Sequence, residues 1–208
     1  MIFQQFTSNK ASILIWELTE SIDDLIVELR NFELYKNEYL EIRTEKRRRE
    51  FLCVRIAMNK LANYECNISY DDFGKPFLND KTFEISVSHS GKWIAVICHP
   101  TQKVGIDIEC PSEKIQKVYK RFLSEIEQKD LSDGQNLQQL YLAWSAKEAL
   151  FKIIGNEAVD FAKQLRILPF DVKKEGKFEA VHLPSNSIYI LNYLCYTNFN
   201  LVYCIDNN

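Results

Sequence analysis

Between Val104 and Glu109 the chain alternates: Val104-Gly105-Ile106-Asp107-Ile108-Glu109, with Pro111 closing the stretch. A period of two is the signature of a strand. It predicts Ile106 and Ile108 on a core face and Asp107 beside Glu109 on the opposite face. Residues 141–152 change period: apolar side chains recur at three- and four-residue steps and Gly155 follows, which predicts a helix. Upstream, residues 13–18 read as a first strand, residues 23–37 as a helix and residues 39–64 as a longer one. That longer helix opens on charge, Glu45-Lys46-Arg47-Arg48-Arg49-Glu50, and turns apolar from Phe51 onward, with Arg55 among the apolar residues. Residues 85–97 read as strand, Ser-Gly turn and strand, a hairpin. Residues 112–121 read as helical, and Ser124 with Glu127 has the form of a capping box. A polar loop at residues 131–137, around Asp133-Gly134, precedes the Trp144 helix. Strands are expected at 165–169, 177–183, 187–195 and 200–205. Both halves mix helix and strand, and the connection Pro100-Thr101-Gln102 separates them.

Composition narrows the class. The 208 residues are 46% hydrophobic and 26% charged, an ordinary globular balance. A net charge of −3 argues against a nucleic-acid binder that works through bulk charge. No apolar run approaches the ~18 residues of a membrane helix. Residues 1–10 lack the basic-then-apolar order of a secretory signal. Six cysteines without a C-x-x-C spacing point to reduced thiols in a cytoplasmic protein.

The candidate chemistry is acidic. Two carboxylates side by side on a strand repel unless a cation lies between them, and the fitting cation is a hard one with oxygen ligands, Mg²⁺. An acidic solvent-facing strand is the alternative. Glu148 and Lys152, four apart on one helix face, are either a surface ion pair or a third metal ligand with a cation for a bound phosphate. Arg55, an arginine among apolar residues, needs a partner and is a candidate anion contact. Lys46 to Arg49 read as a solvated helix face. Gly74-Lys75-Pro76 alone marks a tight turn. His89, flanked by Ser88 and Ser90 beside a glycine turn, is either structural or a donor to phosphate.

In order along the chain, Gly74-Lys75-Pro76, Ser88-His89-Ser90-Gly91 with Trp93, Val104 to Glu109, Phe122-Leu123-Ser124 with Glu127, and Trp144-Ser145-x-Lys147-Glu148-Ala149-x-x-Lys152 resemble the motifs of one family. It is the 4′-phosphopantetheinyl transferase superfamily, in its two-lobed, surfactin-synthetase-activating form. The resemblance spans residues 51–152. It implies an α+β fold: a pseudo-twofold pair of similar α/β lobes, residues 1–103 for adenine and 3′-phosphate and residues 104–208 for Mg²⁺ and catalysis, with the active site in the cleft between them. The implied enzyme is of the holo-[acyl-carrier-protein] synthase type. It moves the 4′-phosphopantetheine arm of coenzyme A to a serine of an apo acyl, peptidyl or aryl carrier protein and releases 3′,5′-ADP. It would act as a cytoplasmic monomer, without nucleic-acid or membrane partners.

The resemblance also assigns residues. Asp107, Glu109 and Glu148 would hold Mg²⁺, and Lys152 would contact the pyrophosphate. Glu127, directly or through a metal-bound water, or else Lys147, would be the base. Gly74, Lys75 and Pro76 would line the adenine pocket, Ser88 and His89 would bind phosphate oxygens, and Arg55 would grip the 3′-phosphate. Arg47 and Arg48 receive no role. Two rival readings are a Mg²⁺-dependent phosphohydrolase or nuclease using the same carboxylates, which would need a wide basic groove, and a non-catalytic lobe pair that binds coenzyme A or carriers.

Overall fold

A computed structural model describes residues 1–131, 135–155 and 159–207. Its contacts divide the chain into Met1–Thr101 and Gln102–Asn208. The first unit contains strands β1 (Ile2–Ser8) and β2 (Ala11–Glu17), helices α1 (Ile22–Glu28), α2 (Lys36–Glu41) and α3 (Glu45–Ala62), then β3 (Ile68–Tyr70), β4 (Pro76–Leu78), β5 (Glu84–Ser90) and β6 (Trp93–His99). Its main sheet is antiparallel in the order β1-β2-β6-β5. Leu14, Trp16, Ile94 and Val96 of that sheet form one buried cluster with Leu25 and Leu29 of the α1 segment and Leu52, Cys53 and Ile56 of α3. Two short hairpins present the polar motifs. One pairs β3 with β4 around Gly74, whose φ of +81° suits glycine. The other turns at Gly91 between β5 and β6.

The second unit contains β7 (Val104–Glu109), α4 (Glu125–Asp130), α5 (Leu137–Ile154), α6 (Phe161–Gln164), β8 (Leu165–Ile167), β9 (Glu175–His182), β10 (Ser187–Cys195) and β11 (Asn200–Ile205). Its antiparallel sheet runs β7-β11-β10-β9-β8. Helix α5 packs on it through Leu142, Ala146, Leu150 and Ile153, in one cluster with Val202 and Cys204 of β11. Both units mix helix with antiparallel sheet, an α+β architecture.

Several local expectations change. The helix expected at residues 23–37 ends at Glu28, and a 3₁₀ turn follows at Phe32–Leu34. Strand β1 was not anticipated. The segment at residues 39–64 is two helices, because the Thr44 side chain accepts from the Arg47 amide and starts α3 afresh. The segment at residues 112–121 forms two short 3₁₀ turns, Glu113–Lys117 and Tyr119–Arg121. In β7 the expected faces hold, with Ile106 and Ile108 buried. Its acidic face is the face that α5 covers, since a Cβ on Gly105 would stand 1.9 Å from the Ala149 carbonyl oxygen of α5. Val202 and Cys204, which lie opposite Asp107 and Gly105 in β11, belong to the α5 cluster. Glycine admits the helix backbone, so the acidic side faces a helix rather than open solvent. In the loop at 131–137, residues 132–134 lie outside the described ones.

Candidate active site

Helix α5 begins with Asn136, whose side chain accepts from the Gln139 amide, and runs to Gly155. Its close seat against Gly105 carries the side chains of Trp144, Glu148 and Lys152 to β7. Lys152 donates from Nζ to the Ile106 carbonyl at 2.7 Å and to Asp107 Oδ1 at 3.1 Å. Trp144 donates from its indole to Glu109 Oε1 at 3.3 Å. Glu148 stands near all three charged neighbours. Its pKa is pushed up to about 7, first by burial and then by the Asp107 carboxylate; Lys152 opposes the rise and Glu109 adds to it. Among the described residues Glu148 has no hydrogen-bond or ion-pair partner. A half-buried carboxylate pressed by two like charges would be relieved by a divalent cation bound to its hard oxygens. Among the described residues no three His, Cys, Asp or Glu side chains stand close enough to form a ready metal-binding group.

The pair Glu127 and Lys147 has another character. Both side chains are 0% exposed, and Lys147 Nζ lies 2.7 Å from Glu127 Oε1. Lys147 also donates to the carbonyls of Phe122, Phe161 and Leu165, each at 2.8 Å. Glu127 accepts from the Ser124 amide and hydroxyl and from the Ile167 amide, all at 2.8 Å. Burial pushes the Lys147 ammonium down to about 8 against the pull of Glu127. This corrects the expectation that either residue is the base: an enclosed, fully engaged pair does not meet an external hydroxyl. The pair ties α4, α5, α6 and β8 together.

Arg55 is corrected in the same way. Its side chain is 0% exposed, paired to Glu38 at 2.7 Å, with the guanidinium 3.3 Å from the Phe51 ring centroid. A phosphate reaches that guanidinium only by displacing both. The partner lies 17 residues upstream, too far for any local pattern to reveal.

The polar motifs of the first unit lie mostly at its surface. Asp71 Oδ1 accepts from the amides of Phe73 and Lys75 and fixes the Gly74-Lys75-Pro76 turn. Ser88 is buried and His89 partly exposed, with Nε2 2.8 Å from Arg47 Nη1. Arg48, also without a role in sequence, donates from Nε to the Ile42 carbonyl and lies over the Tyr39 ring. Sequence reasoning gave no task to Trp144, whose bond to Glu109 has no signal beyond the shared motif, nor to Glu50, which holds Arg47.

An antiparallel sheet under one long helix, with Glu148 and Lys152 of the helix brought to the acidic strand β7, defines an α+β domain. Residues 103–203 match the model of the 4′-phosphopantetheinyl transferase superfamily. The chain is similar to the 4′-phosphopantetheinyl transferase Sfp of Bacillus subtilis, 31% identical over 46% of this chain and 44% of that protein. It is also similar to a phosphopantetheinyl transferase of Thraustochytrium, 27% identical over 44% of this chain and 38% of the relative. A putative 4′-phosphopantetheinyl transferase of Haemophilus influenzae is 32% identical over 39% and 37%. The chain thus spans less than half the length of the curated relatives it matches. Among the described residues no helix is long and apolar enough to cross a membrane.

Proposed function

We propose that this chain transfers the 4′-phosphopantetheine arm of coenzyme A to a serine of an apo carrier protein and releases 3′,5′-ADP. The observation that carries the reading is the meeting of Glu148 and Lys152 of α5 with Asp107 of β7, inside the superfamily match. Asp107, Glu109 and Glu148 would hold Mg²⁺, which when bound would supply charge neutralisation on the pyrophosphate. Lys152, kept at the site by Asp107 and the Ile106 carbonyl, is the cation for a phosphate oxygen. Trp144 orients Glu109 through its indole N–H. Gly74, Lys75, Pro76, Ser88 and His89 contact the nucleotide part. Residues 1–103 thus serve the nucleotide and residues 104–208 the transfer. Glu127, Lys147 and Arg55 stay outside the reaction. The reading includes a cytoplasmic monomer, in keeping with six free cysteines.

The test is incubation with coenzyme A, Mg²⁺ and a panel of apo acyl, peptidyl and aryl carriers, read by mass spectrometry. Phosphopantetheine on the carrier serine is expected. Glu148→Gln should lower transfer by about a hundredfold or more while circular dichroism stays unchanged. Water-dependent cleavage of coenzyme A without a carrier would replace this reading with phosphohydrolysis.

A further inference from the structure

Asn200 opens β11 directly opposite Glu109 of β7. Residues that oppose each other across an antiparallel pair share a sheet face, with Cβ atoms about 4.5–5.5 Å apart. That face is the one α5 covers, since Val202 and Cys204, which share it with Asn200, pack in the α5 cluster. On its other flank Asn200 opposes Cys195 of β10. Gln138, in the first turn of α5, donates from its amide nitrogen to Asn200 Oδ1 and is also hydrogen-bonded to the Cys195 thiol. The Asn200 amide is thus held by its oxygen, and its nitrogen is the free end. The residue is 0% exposed, yet among the described residues Nδ2 has no hydrogen-bond partner. A buried amide donor left unpaired is costly, and nearly all such groups in folded proteins are satisfied. The fold supplies this donor with no acceptor, and the acidic side chain in register with it is Glu109.

We propose that Asn200 is a positioning residue for Glu109: with a divalent cation bound, Nδ2 donates to the Glu109 carboxylate and fixes the rotamer that faces the cation. Trp144 of α5 already holds Glu109 Oε1. Glu109 is then gripped from the covering helix and from the neighbouring strand. A carboxylate held in this way pays less ordering cost when it takes up a metal, and partners of this kind aim metal ligands and tune their affinity. Gln138 keeps the Asn200 amide from turning over, so the line of contacts runs from α5 through β11 to β7. The inference rests on the reading of Glu109 as a Mg²⁺ ligand and adds the group that aims it.

Mn²⁺ titration in the presence of coenzyme A, read by electron paramagnetic resonance, tests it on the full chain. The set is wild type, Asn200→Leu, Glu109→Gln and the double variant, with urea unfolding of each alongside. Asn200→Leu should weaken Mn²⁺ binding about tenfold or more. Its urea midpoint should hold or rise, because an apolar group of similar shape replaces an unpaired donor. Transfer should need correspondingly more Mg²⁺ for half its maximal rate, with kcat at saturating Mg²⁺ nearly kept. In the Glu109→Gln background the Asn200 change should add nothing. Asn200→Ala removes the same donor without a branched side chain and should show the same loss of Mn²⁺ affinity, which keeps the test open if the leucine variant does not fold. Mn²⁺ affinity unchanged by the Asn200 variants, or lowered as much in the Glu109→Gln background, overturns the positioning role alone. A loss of affinity matched by a fall in the urea midpoint overturns it in favour of a structural residue. No Mn²⁺ binding by wild type overturns the Mg²⁺ reading and the inference with it. Mn²⁺ binding that depends on Asn200, without transfer to any carrier, overturns the transferase reading and keeps the positioning role.

Discussion

Each unit lays an 18-residue helix against an antiparallel sheet, and each helix buries one cation completely: Arg55 in α3, Lys147 in α5. The surroundings differ. Lys147 meets a carboxylate that is itself 0% exposed and three backbone carbonyls. Arg55 meets Glu38, which is 48% exposed, one carbonyl at 3.4 Å and an aromatic face, while its Nε finds no hydrogen-bond partner among the described residues. One cation is saturated within the fold, whereas the other leans on a partner that water also reaches. Burial of a charge therefore does not mark a ligand site by itself; the count of satisfied donors and the exposure of the counter-charge say what the charge is for.

The sharpest way to break this comparison is to remove each cation and compare the losses. Lys147→Met leaves the Glu127 carboxylate enclosed, where it cannot rehydrate. The expected loss is about 3–5 kcal/mol in urea unfolding, enough to threaten the fold of a marginally stable chain. Adding Glu127→Gln removes the stranded charge and should restore part of that loss. No restoration in the double variant would mean that the carbonyl contacts, not the ion pair, hold this corner.

Arg55→Met should cost less, about 2 kcal/mol, because Glu38 returns to water and the methionine stem still packs on Phe51. The chief losses are the cation–ring contact and one charged hydrogen bond. A loss equal to that of Lys147→Met would erase the distinction between the two helices. If coenzyme A affinity also fell with Arg55→Met while the fold held, the phosphate contact implied by the family resemblance would return in place of the structural role.

These two cations also show where the sequence stopped being legible. The bounds of β7, β10 and β11 and the existence of α5 follow from local period, and the structure agrees. Alternation placed Asp107 with Glu109 on one face, but it does not say which face a helix will cover. Gly105 held that information, as the one β7 position where a helix backbone can approach. Strand β1 escaped because Ile2-Phe3-Gln4-Gln5-Phe6 does not alternate cleanly, and what orders it is pairing with β2. Glu38 and Glu127 lie 17 and 20 residues from their cations, beyond any helical or strand period. Capping was readable at Ser124, since it is local; the second task of Glu127, holding Lys147, was not.

The smallest expected difference between the two cations lies in their response to pH. The folded-state pKa of Lys147 is lowered to about 8 by burial, from an ordinary value of 10.5. Below about pH 8 the group is charged in both states, and the full cost of burying that charge is present. From about pH 8 toward the unfolded value, the unfolded chain binds the extra proton, so this group's contribution raises stability as pH rises. Between pH 8 and 9 the gain amounts to about 1 kcal/mol relative to the Lys147→Met/Glu127→Gln double variant, in which the titrating amine is gone. Arg55 is also lowered by burial, but a guanidinium keeps its proton throughout that range. Wild type and Arg55→Met should therefore run parallel from pH 7 to 9, while wild type and the Lys147 double variant diverge. Parallel curves for all three would show that the carbonyl cage around Lys147 stabilises the ammonium as well as water does, and that the two buried cations differ only in their counter-charges.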